Sequence, residues 1–484
     1  MTNFHSGDTL RELLVSADAS IREALDRIDA NGRGIVFALD ADGRLVGLAT
    51  DGDVRRALLA GAVITDRLER CLNRQCVTAS SDMNAQQVLA LMDERVHCVP
   101  IVDAAGRPVD FALFEQAYRV PVAEPSLGGR ELEYVSDCIA TNWISSKGKY
   151  VDRFEAGFAA LCGTRFALST SNGTTALHLA LAALGIGPGD EVIVPDLTFI
   201  ASANAVTYCG ATAVLVDVDP ETWTIDADAA AAAVTPRTRG IMAVHLYGHP
   251  SNMRALGALA ARSGLFVLED CAEALGARCD GRIVGGLGTA GCFSFYGNKT
   301  LTTGEGGMLV TDDEALATRA RMLRDHGMAP DRRYFHPVVG FNYRLTNLQA
   351  AVGLAQLERI DAIFARKEHI AALYAAHLED VPGIRLPPRA AWATPVCWLF
   401  SILLEDAFGL QRDDVVAKLE AAGVGCRPLF HPLHEQPPYR SAAAFPVSAS
   451  LSRRGLSLPS AVDLPDRVVE YVSQRLRNLA QTAR

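Results

Sequence analysis

The sequence predicts an α/β protein with a tandem of two small α/β units, a larger domain on a mostly parallel sheet, and a smaller C-terminal domain. Three observations support this. The chain of 484 residues is too long for one average domain. An internal repeat fills its first quarter, and from Phe166 onward short apolar runs alternate with helical patterns. This alternation is typical of parallel strands joined by helices that cover the sheet.

Composition argues against several partners and locations. The formal net charge is −10 and no run of Lys and Arg occurs, so we expect no nucleic-acid partner. The opening MTNFHSGDTLREL is polar and no apolar run approaches membrane-spanning length, so we expect neither a secretory signal nor a membrane span. The cysteines are scattered without CxxC pairs, which favours reduced thiols and a cytoplasmic location.

The internal repeat predicts the two small units. FALDADGRLVG at residues 37–47 is echoed by PIVDAAGRPVD at residues 100–110, and both contain D-x-x-G-R. A segment of helical period precedes each copy, and each copy has the pattern of a short strand followed by a hairpin turn.

This repeat resembles a pair of CBS modules, over residues 1–118. In that family a Thr or Ser three residues before an Asp commonly holds a nucleotide ribose. The first copy has this pattern as Thr50 and Asp53, whereas the second has Leu113 and Gln116 at the matching positions. The resemblance implies at most one regulatory site, for an adenine nucleotide. A CBS pair that only helps assembly is an equal alternative, because a repeat fixes a fold and not a ligand.

The remaining boundaries follow from composition and period. A linker rich in Pro and Gly near residues 118–130 precedes the large domain, which we place at residues 119–378. Residues 346–380 are predicted to form one long amphipathic helix. It would lead into a small C-terminal domain at residues 379–484.

Two glycine motifs are excluded by their context. VGGLGTAGC at residues 284–292 has the spacing of a dinucleotide-binding fingerprint, which needs a strand before it and a helix after it. Here a CDGR turn precedes and a strand-like segment follows. A Walker loop fails because Asn298 separates Gly297 from Lys299.

Three elements together suit a pyridoxal phosphate site, although each is weak alone. The first is STSNGTTALHLAL at residues 169–181, where a strand runs into Gly173 and a helix starts at Thr174. Free backbone N–H groups and the dipole of such a helix start bind phosphate. An ordinary helix N-cap is the alternative.

The second element is Asp270, which ends the apolar strand GLFVLED at the sheet edge where ligands of α/β proteins gather. A carboxylate there can keep the pyridine nitrogen of the cofactor protonated, so that the ring withdraws electrons. Glu273 follows three residues later and is a candidate to face the ring oxygen of the cofactor. A solvated helix position is the alternative for Glu273.

The third element is Lys299, flanked by the apolar segments CFSFY and GGMLV. Apolar surroundings lower the pKa of an amine and make it nucleophilic. Ser294 lies upstream and is a candidate to donate its hydroxyl to the phosphate. Gly304, Gly306 and Gly307 are expected to let the backbone approach a ligand closely.

Residues 121–484 resemble the DegT/StrS family of sugar aminotransferases, which share the fold of aspartate aminotransferase, fold type I of the pyridoxal phosphate enzymes. The segments that carry the resemblance span the whole region: TNWISSKGKYVDRFE, TSNGTTALHLAL, PDLTFIASANAV, VHLYGHP, EDCAEALGA, FSFYGNKTLTTGEGGM, GFNYRLTNLQAAVGLAQLE and RPLFHPLHEQPPY. One branch of this family dehydrates sugars and carries His where the aminotransferases carry Lys. Lys299 therefore indicates amination.

By position, the resemblance makes Lys299 the Schiff-base lysine and Asp270 the partner of the pyridine nitrogen. It assigns further cofactor contacts to Gly173, Thr174 and Ser294 at the phosphate, Phe199 on the cofactor face and Glu273 beside the ring. Family members are homodimers, so a homodimer or higher is implied.

The resemblance also implies residues around the substrate. The segment of Asn342 and Arg344 reaches the site of the neighbouring subunit in this family, with Asn342 assigned to the cofactor and Arg344 to the substrate. Trp143, Ser145 and His431 are weaker candidates for contacting the nucleotide sugar. Each could equally be a packed or capped residue.

The implied reaction is a two-stage transfer of an amino group from a donor, expected to be glutamate, to a nucleotide-linked keto sugar. The segments WISSKGKY and FSFYGNKTLTTGEGGM resemble those of family members that aminate C4 of a 4-keto-6-deoxy sugar. The substrate is here expected to be GDP-4-keto-6-deoxymannose. Amination at C3 and a UDP- or dTDP-linked substrate are alternatives. An adenine-nucleotide-sensing CBS regulator with an inactive aminotransferase domain is the alternative from another class. Intact Lys299, Asp270 and Gly173 argue against it.

Overall fold

The computed structural model describes residues 2–4, 10–83, 87–88, 91–92, 96, 98–114 and 120–482. The chain divides into two compact units, Met1–Tyr118 and Arg119–Arg484. Within the described ranges, no helix is both long and apolar enough to cross a membrane.

The N-terminal unit contains the two predicted copies of the repeat. One sheet holds, in spatial order, Leu14–Ser16, Ile35–Leu39 and Leu45–Thr50; the other holds Thr2–Phe4, Pro108–Phe114, Cys98–Val102 and Ala79–Ser80. Its described helices are Ile21–Asn31, Asp51–Leu59 and the 3-10 turn Leu68–Cys71.

Each copy has the predicted hairpin turn. The Asp40 N–H donates to the Arg44 carbonyl at 2.9 Å, and the Asp103 N–H donates to the Arg107 carbonyl at 2.9 Å. The two hairpins are therefore confirmed. The helical segment predicted before the second copy, residues 84–96, falls mostly outside the described residues, as does Gln116.

The second unit is organised on a seven-stranded sheet. In spatial order its strands are Thr212–Val216, Glu191–Pro195, Thr238–Val244, Phe266–Asp270, Ala290–Ser294, Gly307–Thr311 and Phe166–Thr170. Gly307–Thr311 runs opposite to the other six strands, which all run in one direction. The mostly parallel sheet is therefore confirmed. The helices around it are Glu131–Ala140, Lys149–Cys162, Gly173–Ala183, Ala201–Tyr208, Ala227–Ala232, Met253–Ser263, Glu314–Arg324 and the 3-10 turn Leu246–Gly248.

The prediction of one long helix over residues 346–380 is wrong. The structure has two helices, Asn347–Leu357 and Ile360–Leu378, with Arg359 between them at φ −115° and ψ 17°. Both residues at the break bond to other elements. The Tyr134 hydroxyl donates to the Glu358 carboxylate at 2.8 Å, and the Arg359 guanidinium donates to the Ser126 hydroxyl at 2.6 Å. These contacts favour a turn at Glu358 and Arg359, where the periodic spacing of apolar residues alone suggests a continuous helix.

The C-terminal part of this unit has its own antiparallel sheet and apolar core. The strands, in spatial order, are Ile384–Arg385, Phe400–Leu404, Gly455–Leu458 and Arg427–Pro428. The helices are Arg412–Ala421, Pro446–Arg454 and Asp466–Thr482, with 3-10 turns Asp406–Phe408, Leu433–Glu435 and Pro437–Tyr439. A small sheet joins Arg282–Ile283, Arg278–Cys279 and Ala393–Thr394. Because residues 119–484 cluster as one compact unit, the boundary near residue 378 stays a prediction.

The glycine-rich segment 284–292 holds a carboxylate of the protein itself. Glu269 is fully buried, and its two oxygens accept from the N–H groups of Gly285, Leu287 and Gly288 at 2.6–2.8 Å. The His245 Nε2 lies 3.1 Å from the same carboxylate. Since the Ser251 N–H donates to His245 Nδ1, the ring proton lies on Nε2 and is donated to Glu269. This turn therefore fixes the strand that ends at the neighbouring Asp270.

All eleven cysteines are free thiols, and most of them are buried. Burial raises the pKa of the Cys98 thiol to about 12 and that of Cys209 to about 11. A thiol with a raised pKa is a poor nucleophile, so these residues act as small apolar side chains.

Candidate active site

A cavity of about 640 Å³ opens at the edge of the seven-stranded sheet where the parallel strands end. It brings together seven of the predicted site residues: Gly173, Thr174, Phe199, Asp270, Glu273, Ser294 and Lys299. They come from four separate segments of the sequence, at residues 173–174, 199, 270–273 and 294–299. The parallel strands place these segments at one edge because their carboxyl ends all meet there.

One end of the cavity is a helix start next to a hydroxyl. Asn172 caps the helix Gly173–Ala183, with its side chain accepting from the Thr175 N–H at 2.9 Å. The N–H groups of Gly173 and Thr174 precede this capped position, and both residues line the cavity. A Cβ on Gly173 would lie 2.8 Å from the Ser294 Cβ, so only glycine lets the helix start lie against Ser294. This geometry suits a phosphate group.

The glycines after Lys299 make close approaches to protein atoms. A Cβ on Gly307 would lie 2.4 Å from the Asn172 carbonyl oxygen, and one on Gly306 would lie 2.2 Å from the Thr303 hydroxyl. The expected approach of these glycines to a ligand stays a prediction. Gly307 lets the antiparallel strand Gly307–Thr311 pack against the turn at Asn172.

Asp270 lies at the end of its strand, nearly buried, with both oxygens hydrogen-bonded. The Ser202 hydroxyl donates to Oδ2 at 2.8 Å, and the Ala272 N–H donates to Oδ1 at 3.1 Å. Ser202 is itself buried beside Thr198, whose hydroxyl lies 3.0 Å away. These contacts fix the orientation of the Asp270 carboxylate towards the cavity.

Lys299 and Glu273 form a pair deep in the cavity. The Lys299 Nζ lies 3.7 Å from the Glu273 Oε1, and their side chains are 13% and 6% exposed. Burial raises the pKa of Glu273 to about 7, against the opposing charge of Lys299. Burial also lowers the pKa of Lys299, and the charges of Glu273 and Asp270 offset part of that change. The lowered pKa agrees with the expectation from the apolar flanks of Lys299.

One aromatic ring contacts the lysine, and another lines the same cavity. The Lys299 Nζ lies 3.8 Å from the centre of the Trp398 ring, within the range of a cation–π contact. The Trp398 indole N–H donates to the Asn298 carbonyl at 2.8 Å, which ties the ring to the backbone next to Lys299. Phe199 lines the same cavity with 56% of its surface exposed, so its side chain is accessible to a ligand there.

Sequence reasoning missed several residues of the site. Ser202, Tyr247, Trp398, Arg427 and Phe430 each line the cavity or contact a group that does. Arg427 and Phe430 stand in the segment RPLFHPLHEQPPY, which carried the family resemblance and could have pointed to them. Trp398 has no local motif, since it reaches the site only through the packing of the C-terminal sheet.

Three of the substrate candidates lie outside the cavity. Trp143, Ser145 and His431 are exposed. The Asn347 side chain donates to the Trp143 carbonyl at 2.7 Å, and the Asn347 N–H donates to the Ser145 carbonyl at 2.6 Å. These bonds fix the backbone of the segment and leave both side chains on the surface.

Asn342 and Arg344 also lie outside the cavity of their own chain. The Arg344 guanidinium lies 2.8 Å from the Asp325 carboxylate and donates to the Asn342 side-chain oxygen at 3.2 Å. Their predicted approach to a neighbouring subunit therefore stays a prediction.

In the N-terminal unit, Thr50 and Asp53 bond to each other as a capping box at the start of the helix Asp51–Leu59. The Asp53 N–H donates to the Thr50 hydroxyl at 3.2 Å, and that hydroxyl donates to the Asp53 carboxylate at 2.6 Å. A cavity of about 740 Å³ in this unit is lined by other residues, between Leu14 and Asp40.

Comparison with known proteins identifies both parts of the chain. Residues 125–477 match the DegT/DnrJ/EryC1/StrS aminotransferase family. The chain belongs to this family. Residues 10–60 and 68–111 match the CBS domain. The predicted family, the fold of the aminotransferase and the CBS pair are therefore confirmed, and the chain is an enzyme of the aminotransferase class.

Among its relatives, the chain is 48% identical over 365 residues to a GDP-perosamine synthase of Caulobacter vibrioides, covering 74% of this chain and 98% of that protein. It is 44% identical over 358 residues to a GDP-perosamine synthase of Escherichia coli O157:H7, covering 74% and 97%. The crystal structure of DesI in the presence of its TDP-sugar product superposes with a TM-score of 0.69 at 36% identity, covering 72% of this chain and 90% of DesI.

The buried pair makes stability depend on pH. The pKa of Glu273 is raised from 4.5 to about 7 in the cofactor-free fold, so the folded state binds this proton more tightly than the unfolded chain. Wild-type stability should therefore fall as pH rises from 4.5 to about 7, relative to Glu273→Gln, which has no proton to lose. Thermal unfolding midpoints of both proteins across this range measure the difference.

Glu305→Gln is the matched control, because it changes an exposed carboxylate of the same cavity and should follow the wild type. Parallel curves for wild type and Glu273→Gln would contradict the prediction.

Proposed function

We propose that this enzyme transfers an amino group from glutamate to C4 of a GDP-linked 4-keto-6-deoxy sugar, with GDP-4-keto-6-deoxymannose as substrate. The observation that carries the proposal is the 48% identity to a GDP-perosamine synthase over 98% of that protein's length. The paired Lys299 and Glu273, with the Asp270 carboxylate at the strand end, support it because an aminotransferase needs a buried amine and fixed acid–base groups.

Pyridoxal phosphate is the proposed cofactor, and the residues present fit it. The Gly173 helix start, closed against Ser294 without room for a Cβ, and Thr174 would hold the phosphate. Asp270 would hold the pyridine nitrogen, and Lys299 would bind the cofactor covalently. Phe199 would stack on the ring beside Glu273, and Asn342 would come from a second subunit. When bound, the cofactor supplies a carbon that accepts the amino group and a ring that withdraws electrons.

Side chains of the protein hold and transfer the protons in the proposed reaction. Because burial lowers the pKa of Lys299, its amine loses a proton more readily than an exposed lysine and can act as nucleophile and then as a tethered base. Glu273, with a pKa of about 7 and an oxygen 3.7 Å from the amine, can take up or return that proton. Asp270, held by Ser202, presents its carboxylate from a fixed position and would keep the ring nitrogen protonated.

The alternative functions differ in the sugar substrate or in whether the chain is an active enzyme. A dTDP- or UDP-linked substrate has support from the likeness to DesI, whose structure contains a TDP-sugar product. Amination at C3 would use the same catalytic groups. A nucleotide-sensing regulator with an inactive aminotransferase domain has the least support, because Lys299, Asp270 and Gly173 are together in one cavity.

We also propose a homodimer in which Asn342 and Arg344 complete the site of the neighbouring subunit, and we propose Trp143, Ser145 and His431 as contacts for the nucleotide sugar. The exposure of Trp143 and the position of Arg344 outside its own cavity support this arrangement. A monomer in analytical ultracentrifugation at assay concentration would contradict it.

Replacing the lysine tests the cofactor proposal. Lys299→Ala should lose the visible absorbance of the bound cofactor and at least about a thousandfold in turnover, because it removes the covalent anchor and the tethered base. Lys418→Ala is the control, since Lys418 is exposed on the helix Arg412–Ala421. Retained turnover in Lys299→Ala would contradict the assignment.

A substrate panel tests the reaction. With glutamate as donor, kcat/KM for the GDP-linked 4-keto-6-deoxy sugar should exceed that for the UDP- and dTDP-linked sugars by at least about tenfold, which is about 1.4 kcal/mol of discrimination. NMR of the product should place the amino group at C4. Equal rates on the dTDP-linked sugar, or an amino group at C3, would favour the alternatives.

Binding of an adenine nucleotide to the CBS pair is a separate proposal, tested by calorimetry with AMP and ATP on the full chain. Thr50→Val should weaken binding at least about tenfold, because it removes the hydroxyl proposed to hold the ribose. Ser20→Ala is the matched control, since Ser20 caps the helix Ile21–Asn31 in the same way. Absence of wild-type binding at millimolar nucleotide would leave the CBS pair as an assembly module.

A further inference from the structure

Tyr247 stands behind the catalytic pair in an unusual backbone conformation. Its φ is +49°, in the left-handed region that side-chain-bearing residues rarely adopt. The side chain is buried, and its ring stacks on Phe430 with centroids 5.3 Å apart and on Trp398 with centroids 6.3 Å apart. Such a conformation costs free energy and persists only where surrounding contacts hold it.

Two hydrogen bonds connect Tyr247 to opposite parts of the site. Its backbone N–H donates to the Glu273 Oε2 at 2.8 Å, while the other Glu273 oxygen faces Lys299. Its hydroxyl accepts from the Phe430 N–H at 2.8 Å. Phe430 lines the cavity, and the chain that follows it is fixed to the large domain where the His434 N–H donates to Asp196 at 2.8 Å.

We propose that Tyr247 is a positioning residue that sets the Glu273 carboxylate against Lys299 and fixes the Phe430 wall of the cavity at the same time. The hydroxyl bond to Phe430 helps to hold the left-handed backbone, and that backbone aims the N–H at Glu273. Loss of the hydroxyl would therefore act on Glu273 without changing any atom that touches it.

The electrostatics of the pair make this effect measurable. Glu273 faces Lys299 and Asp270, and the Tyr247 N–H favours its ionised form. Lys299 faces Glu273 and Asp270, which favour its protonated form, and Arg427, which opposes it. An ill-positioned Glu273 is ionised less readily and supports a proton on the Lys299 nitrogen less strongly.

The first experiment uses the cofactor-loaded enzyme and no substrate. In Tyr247→Phe, the pH midpoint of the absorbance of cofactor bound at Lys299 should move to lower pH than in the wild type. The midpoint reports the pKa of the lysine nitrogen. A purely structural loosening elsewhere would leave this midpoint unchanged.

Two further variants isolate the route. In the Glu273→Gln background, adding Tyr247→Phe should cause no further shift of the midpoint, because no carboxylate is left to position. Tyr439→Phe removes a hydroxyl that bonds Asn204 and Thr207 rather than Phe430, so its midpoint should match the wild type. A shift of the midpoint that persists in the Glu273→Gln background would contradict the proposal that Tyr247 acts through Glu273.

The second experiment rests on the proposed function. With glutamate and the GDP-linked keto sugar, Tyr247→Phe should raise the KM for the sugar about tenfold, since the freed Phe430 N–H loosens that wall of the cavity. Unchanged KM and unchanged midpoint together would overturn the inference. If the wild type does not turn over the sugar, the function proposal fails, and the absorbance midpoints still decide the role of Tyr247.

Discussion

The bonds to the buried Glu269 carboxylate are the constraint on which the site depends. Glu269 and Asp270 are neighbours on one strand, so their side chains point to opposite faces of the sheet. Glu269 binds His245 and the turn at residues 285–288, and thereby ties two other segments of the chain to this strand. Asp270, one residue later, faces the cavity. The Glu269 carboxylate fixes the strand end, and the Asp270 carboxylate lines the cavity from that fixed position.

The sequence was sufficient for those site residues that lie at the ends of strands. Gly173, Asp270 and Ser294 follow apolar runs that are easily recognised as strands, and parallel topology then brings them to one edge. The same reasoning explains why the sheet and the CBS hairpins could be predicted. Strand patterns and hairpin turns are local, so they are readable without knowing what packs against them.

The residues that escaped sequence reasoning depend on contacts between distant segments. Ser202 matters because its hydroxyl meets Asp270, and Trp398 because it lies under Lys299. Neither contact corresponds to a spacing between residues that could be recognised in the sequence. The predicted single helix failed for the same reason, since the break at Arg359 follows from bonds to other elements. The roles assigned to Arg344 and His431 depend on a second subunit or on a bound substrate. The fold of a single chain therefore does not test them.

The antiparallel strand Gly307–Thr311 has a consequence for how the lysine works. Because it returns beside Ala290–Ser294, the intervening segment 295–306 is fastened at both ends to adjacent strands. Lys299 sits in this short closed loop, and its backbone N–H bonds the Tyr296 carbonyl at 2.9 Å. In the proposed reaction, the Lys299 amine would stay beside the cofactor after releasing it, at a high effective molarity. Recapture would then need only a rotation of the side chain and no new encounter.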